Sequence, residues 1–296
     1  MRTSVLITCY RRRQFLPLSL DSAAADGADQ IVVVKDWADA AFDRELAGRG
    51  VTLITEDIPV IGAALVRGLA ACTGDTVSFL DDDDLIRPGR LAEVRRAFAA
   101  SGSLVLWKNG YTEVDVDGRA YVPPGGPVAQ PTAAREFSCD RIDRETLRWV
   151  VASHAYGILS TLTVRRTALE PFAPELAQVE CGIDVAVPTL LMRGQYRHAF
   201  FPKPLTVHRV GSSLRAGTVS GTPAAYARTF RRLAKSAGSD AARRYAMMNV
   251  RWSELEQLLG RRRLDAIERL RSGAAGPSLR DLARVVWPAV ADPGPR

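Results

Sequence analysis

Four consecutive aspartates, Asp81 to Asp84, follow without a break on the apolar run Val77-Ser78-Phe79-Leu80. The run reads as a buried strand. Like charges this close repel and raise one another's pKa unless a cation sits among them. Hard cations such as Mg²⁺ and Mn²⁺ take oxygen ligands and share their shell between carboxylates and substrate phosphates. A metal held in the cluster would neutralise a departing diphosphate. The plainer reading is a solvated acidic turn that caps the next helix, for which Asp84, with Pro88 nearby, is suited.

The flanking segments say what kind of sheet that strand joins. Val5-Leu6-Ile7, Ile31-Val32-Val33-Val34 and Val51-Thr52-Leu53-Ile54 read as further strands, and Phe15 to Ala25 and Gly62 to Cys72 as helices. Leu91, Val94 and Phe98 recur at helical spacing. Strands alternating with helices predict an α/β fold with a mainly parallel sheet covered on both faces. Ligands of such sheets gather at the carboxyl ends of the strands, which singles out Thr8 to Tyr10, Lys35-Asp36 and the Asp81 cluster. This pattern suits a nucleotide-binding half-domain without naming a reaction.

Beyond residue 101 the chain is less regular. Ser103 to Leu106 is a strand, followed by Trp107-Lys108-Asn109, with Trp107 better suited to the core than to a pocket. Val122 to Pro131, rich in Pro and Gly, is a long loop; Ile158 to Val164 is β-like; Ile183 to Met192 is a helix despite Pro188. From Pro223 the chain is helical, with Tyr245, Met248, Trp252, Leu255 and Leu259 at spacings of three and four.

Composition narrows the function classes. The net charge is +7, but residues 214–296 hold 16 Lys+Arg against 7 Asp+Glu, while the remainder holds 24 against 26. The basic character therefore belongs to the C-terminal extension. Arg261-Arg262-Arg263 and the apolar stripe before them suit packing on the same chain first, a dimer contact or an anionic membrane surface next. Nucleic-acid binding is disfavoured because no recognisable module accompanies the charge. Cys9, Cys72, Cys139 and Cys181 form no CxxC pair, which speaks against a zinc or redox motif. The first apolar run is too short for a signal peptide, and no stretch approaches the roughly 20 apolar residues of a spanning helix. A cytoplasmic protein is expected, with contact at the inner membrane face only through its surface.

In their order along the chain, these segments resemble family 2 glycosyltransferases of the GT-A fold. Ser4-Val5-Leu6-Ile7-Thr8-Cys9-Tyr10-Arg11-Arg12 is similar to the family's first strand and donor-side loop, and Ile31 to Asp36 to its second strand. Lys35 stands where the first acid of a pair is usual, so Asp36 alone is carried over as a base- or ribose-binding residue. Gly62 through Asp75 resembles the helix before the DxD strand, with Arg67 at an often basic position and Gly68 in place of the usual Asn. Phe79-Leu80-Asp81-Asp82-Asp83-Asp84 matches the DxD segment. The resemblance implies that Thr8, Tyr10, Arg11, Asp36, Arg67, Asp81 and Asp82 face the donor, and that Asp83 holds Mg²⁺ or Mn²⁺ with Asp84 in support.

Leu159-Ser160-Thr161-Leu162-Thr163-Val164-Arg165-Arg166 looks like the acceptor-side strand. Glu180-Cys181-Gly182-Ile183-Asp184 falls at the family's acidic pair, of which Asp184 matches the second member and Ile183 departs from the first. Pro204-Leu205-Thr206-Val207-His208-Arg209 is similar to the segment after the last strand, and His208 is a candidate third metal ligand or a plain structural histidine. His154 and His198 are weaker candidates. The resemblance implies a glycosyltransferase domain over residues 1–213, with 1–100 as the nucleotide-binding half and 101–213 as the acceptor half. The helical, basic extension is 214–296.

The resemblance also implies an inverting transfer from a nucleotide-sugar, by default a UDP-sugar with GDP- and dTDP-sugars open, to a glycan, a lipid-linked sugar or a small molecule. Asp184 is the expected base, with Glu180 in reserve. Two rivals differ in class. A sugar-nucleotide pyrophosphorylase would need a Gly-rich phosphate loop after the first strand, where Cys9-Tyr10-Arg11-Arg12 has no glycine. A non-catalytic nucleotide-sugar binder would be consistent with the missing acid at Ile183.

Overall fold

The computed structural model describes residues 1–57, 60–123, 130–152, 155–211 and 222–259. Most of the long loop from Val122 to Pro131, as well as His154 and Arg261-Arg262-Arg263, lies outside them.

The chain opens as β1 (Thr3–Cys9), α1 (Leu16–Ala25), β2 (Gln30–Lys35), α2 (Ala40–Gly48), β3 (Thr52–Thr55), α3 (Ile61–Ala71) and β4 (Thr76–Asp81). β1 pairs in parallel with β2 and β4, and β2 with β3. The β1–β4 register sets Thr8 opposite Asp81, and that of β1 and β2 sets Cys9 opposite Lys35. All three strands thus end at one edge, as their parallel pairing requires. Side chains alternate across the sheet: Leu6, Val32, Val34 and Phe79 join one apolar cluster, whereas Val5, Ile7, Val33 and Leu80 join the other. Helix α2 was not anticipated; Asp39 caps it by accepting from the Phe42 N–H at 3.0 Å.

Gly68 explains the departure from the family's usual Asn. A Cβ there would lie 2.2 Å from a Leu6 methyl and 2.9 Å from Val34. The glycine lets α3 lie directly on β1 and β2.

The second half continues as β5 (Leu85–Ile86), α4 (Arg90–Ala100), β6 (Leu104–Val114), β7 (Arg135–Ser138), α5 (Arg144–Ala152), β8 (Leu162–Arg165), α6 (Arg166–Leu169), α7 (Ala173–Leu176), α8 (Ile183–Leu191) and β9 (Arg197–Arg209). The sheet runs β3-β2-β1-β4-β8-β6-β9-β5, with β7 on β9. Beyond β4 the pairings are antiparallel except β6 with β9, which shifts register near Gly110. Trp107, Lys108 and Asn109 lie inside β6 and are buried, Trp107 in an apolar cluster with Phe98 and Leu205.

Two helices, α9 (Pro223–Lys235) and α10 (Asp240–Leu259), close the described chain. They place Phe230, Leu233, Tyr245, Ala246 and Val250 in the same cluster as α3 and α8, and Tyr245 meets Tyr156 edge-on with centroids 5.6 Å apart. The predicted stripe on α10 is thus used for packing on the chain's own core at Tyr245 and Met248. Among the described residues no helix is long and apolar enough to cross a membrane.

Candidate functional site

The aspartate run forms a tight turn after β4, with the Asp84 N–H donating to the Asp81 carbonyl at 3.2 Å. The Ser19 hydroxyl of α1 lies 2.8 Å from the carbonyls of both Asp82 and Asp84, and Asp81 N–H donates to Ser160 Oγ at 2.9 Å. The turn is therefore clamped from both halves of the molecule. Its four side chains then take different surroundings.

Asp82 is wholly buried and receives the Cys9 thiol at 2.8 Å and the Arg12 guanidinium. Burial raises its pKa to about 6 against the lowering influence of Arg12. Asp83 accepts from Arg12 Nη1 at 2.5 Å. Asp84 accepts the Arg209 backbone N–H at 2.8 Å and stands 3.2 Å from His208 Nδ1. Asp84 does not cap the following helix. That task falls to Asp26, whose carboxylate accepts from the N–H groups of Gly89 and Leu91 at 2.5 and 2.7 Å. The Asp81 carboxylate has no hydrogen bond or ion pair among the described residues, and burial together with Asp84, Asp83 and Asp82 raises its pKa well above the ordinary value.

β9 brings its end against β5, Leu85 opposite Val207, and this seats His208 and Arg209 beside the turn. Burial opposes the charge on His208, but Asp84, Asp81 and Glu113 lift its pKa to about 9. Glu113 stands opposite it on β6, and Tyr111 meets it edge-on. Arg209 Nε donates to the Asp83 carbonyl at 3.1 Å, and its Nη1 to the Asp115 and Val116 carbonyls at 3.0 Å.

Along the same edge Thr8 is buried and Tyr10 partly exposed. Arg11 holds a left-handed backbone, φ 54°, and its N–H donates to Asp36 Oδ1 at 3.0 Å. Non-glycine residues adopt that conformation at a cost that functional sites often carry. Asp36 Oδ2 is buried and faces Arg11 Nε at 3.5 Å, an ion pair without hydrogen-bond geometry. Arg67 pairs with Glu56 just past β3, with two strands, β2 and β1, between β3 and the strand that carries the aspartates. Lys35, which replaces an acid, is fully buried and pairs with Asp43 at 2.8 Å.

Asp184 comes from the other half of the chain. Gly182, at φ +67°, turns the chain into α8, and Asp184 occupies the first turn. Burial raises its pKa to about 7, moderated by the N–H groups of Asp184 and Val185 and by the nearby charge of His208. Ile183 is buried in the main core. Glu180 faces outward to Arg228 at 3.2 Å. His198 is a core residue that shares a hydrogen bond with the Tyr156 hydroxyl.

Residues 4–131 match the family model for glycosyl transferase family 2. That stretch, somewhat under half of the chain, is similar to family 2 glycosyltransferases. The chain is 36% identical over 88 residues to the O-antigen biosynthesis protein RfbC of Myxococcus xanthus, a stretch of 28% of this chain and 7% of that much longer protein. Among solved structures it is similar to S. aureus TarS 1-349 in complex with UDP-GlcNAc, with a TM-score of 0.63 and 14% identity, covering 98% of this chain and 81% of that one. TarS 1-349 in complex with UDP gives 0.59 and 15%, over 96% and 78%. At such identities the likeness is one of fold, the GT-A type.

Sequence reasoning passed over Arg12, Cys9, Ser19 and Ser160 as members of the site. Arg12 had a signal, a cation three residues past an apolar strand end. The serines had none, because their partners lie more than 60 residues away.

Proposed function

We propose that this chain transfers a sugar from a nucleotide-sugar to an acceptor hydroxyl, with inversion at the anomeric carbon. The observation that carries the proposal is the convergence on one sheet edge of Thr8, Tyr10, Asp36 and the Asp81–Asp84 turn with His208 and Asp184 from the second half. Asp36 Oδ2, buried and held only by a 3.5 Å ion pair with Arg11 among the described residues, has room to accept an N–H or O–H of the base or ribose. The UDP-GlcNAc in the TarS complex supports a UDP-sugar as donor. The O-antigen biosynthesis protein supports a saccharide acceptor.

A divalent Mg²⁺ or Mn²⁺ fits the chemistry of the donor set. Asp81 and Asp83 supply oxygen atoms, and Asp81 is crowded by like charge that a cation would relieve. His208 is held at Nδ1 by Asp84, the arrangement that aims the other ring nitrogen of a ligating histidine. Among the described residues no group of three or more His, Cys, Asp or Glu side chains is arranged to hold a metal ion as it stands, and Asp83 is engaged by Arg12. A bound cation would neutralise the leaving diphosphate.

Asp184 takes the acceptor proton. A base works best with a pKa near the working pH, and about 7 meets that condition. Thermal-shift measurements with UDP, GDP, dTDP and their sugars, with and without Mn²⁺, test the donor site: a ligand that binds the folded state raises the melting point. No nucleotide raising it, with or without metal, would overturn the reading. Slow donor hydrolysis would then separate a transferase from a mere binder.

A further inference from the structure

The acidic turn already has a cation in it. Arg12 Nε and Nη2 grip both oxygens of Asp82, and Nη1 reaches Asp83 at 2.5 Å. Its side chain is only 14% exposed. Asp82 also takes the Cys9 thiol and is closed to solvent. One planar guanidinium thus spans two buried acids: Asp82, closed to solvent and gripped through Nε and Nη2, and Asp83, 7% exposed and reached by Nη1. Asp81, the third acid, has no such partner among the described residues.

From this asymmetry we infer that Arg12 is an internal counter-ion that a divalent cation displaces from Asp83, with the fork on Asp82 as the pivot that stays. The inference rests on the reading of Asp83 as a metal ligand. It deepens that reading by naming the residue that sets metal affinity. A guanidinium spreads one charge over a plane, and a divalent ion concentrates two at a point. Where four carboxylates crowd one turn, two charges at a point offset more repulsion than one spread over a plane, and the exchange favours the metal. Arg12 keeps the turn folded in the metal-free protein, and it lowers apparent metal affinity by occupying the same carboxylate. It is a positioning residue, and touches neither sugar nor acceptor in this scheme.

The test uses the full chain and Mn²⁺ alone, without nucleotide, followed by calorimetry and by the EPR signal of free Mn²⁺. For protons, an adjacent cation changes a carboxylate's affinity by about one to three decades. On that scale Arg12→Gln should bind Mn²⁺ at least about tenfold more tightly than the wild type, while its metal-free melting point falls and the Mn²⁺-induced rise in melting point grows. Arg12→Lys covers the case where the glutamine variant does not fold. A single ammonium cannot span both acids, so it stays with buried Asp82, and Mn²⁺ binding should again tighten. Folded variants that bind Mn²⁺ no more tightly than the wild type, or less tightly, overturn the inference. Asp83→Asn separates this from failure of the metal reading. If it abolishes Mn²⁺ binding while the Arg12 variants gain nothing, only the role of Arg12 falls. If Mn²⁺ binds as before, or binds none of the proteins, the metal reading falls and the inference with it.

Discussion

The turn after β4 and the first turn of α8 both present carboxylates to the same edge, yet they solve opposite problems. At β4 four acids are crowded together, so the chain compensates them with Arg12, His208 and backbone N–H groups. At α8 one acid stands apart, opposed mainly by its own burial and eased by the N–H groups of a helix start. Under the proposed reading, crowding suits a cation, and isolation suits a group that exchanges a proton near neutrality. The two roles of the proposed transfer, holding the diphosphate and taking the acceptor proton, thus separate by environment, although every residue concerned is an aspartate.

Substitution at each place should break different functions. Asp184→Asn keeps the shape and loses the base, so turnover on a verified acceptor should fall about 10²-fold or more, with donor affinity by calorimetry unchanged. If both fell together, the two regions would not be separable. Asp83→Asn should do the reverse and weaken Mn²⁺-dependent UDP binding by about tenfold or more, given that even outer-shell changes cost about 10- to 100-fold in metal affinity. The same titration without metal should show little difference.

The pH profile sharpens the contrast. Asp184 accepts a proton only when ionised, so kcat/KM should climb with pH and level off above about 7. Asp184→Asn should remove that limb. The stability consequence has the opposite sign. The folded-state pKa is raised, so between the ordinary carboxylate value and about 7 the native state holds a proton that the unfolded chain has released. Stability from this group is present at low pH and lost as pH rises through that window. Urea midpoints measured across it, in wild type and Asp184→Asn, check the slope.

A smaller effect is expected at the backbone that presents Asp184. Gly182→Ala places a Cβ in a left-handed conformation, 2.9 Å from the Tyr226 ring and 3.0 Å from Phe230. The φ angle alone costs about 1–2 kcal/mol, which a lowered melting point would register. Smallest of all, Glu180→Gln breaks only an exposed ion pair with Arg228, worth about 0–1 kcal/mol. Turnover by this variant should stay within about twofold; a loss like that of Asp184→Asn would transfer the base to Glu180.

The N-terminal half was far more legible than the rest. Its strands are short, β-branched and local, each followed by the helix that covers it, and the parallel pairing of β1 with β2 and β4 follows from the alternation. Helix α2 escaped because its apolar positions, Phe42 and Leu46, are few among charged residues. In the second half β6 runs to Val114, well past Leu106, since Lys108 and Asn109 are polar yet wholly buried. Their burial depends on strands β8 and β9, which pair with β6 across about 55 to 95 residues of sequence.

The sequence by itself determined the identity of the chemical groups and the edge on which they gather, because both depend on local order: apolar run, then acid. Only the tertiary structure decided what each acid faces. Asp82 and Asp83 go to Arg12, Asp84 to His208 and Arg209, and Asp184 to a helix start near His208, through contacts 70 or more residues apart for the first three. Those assignments come from how β9 docks on β5 and how the loop after β1 folds over the turn. No periodicity records such docking, because a charge finds its partner in space and not at a fixed spacing along the chain.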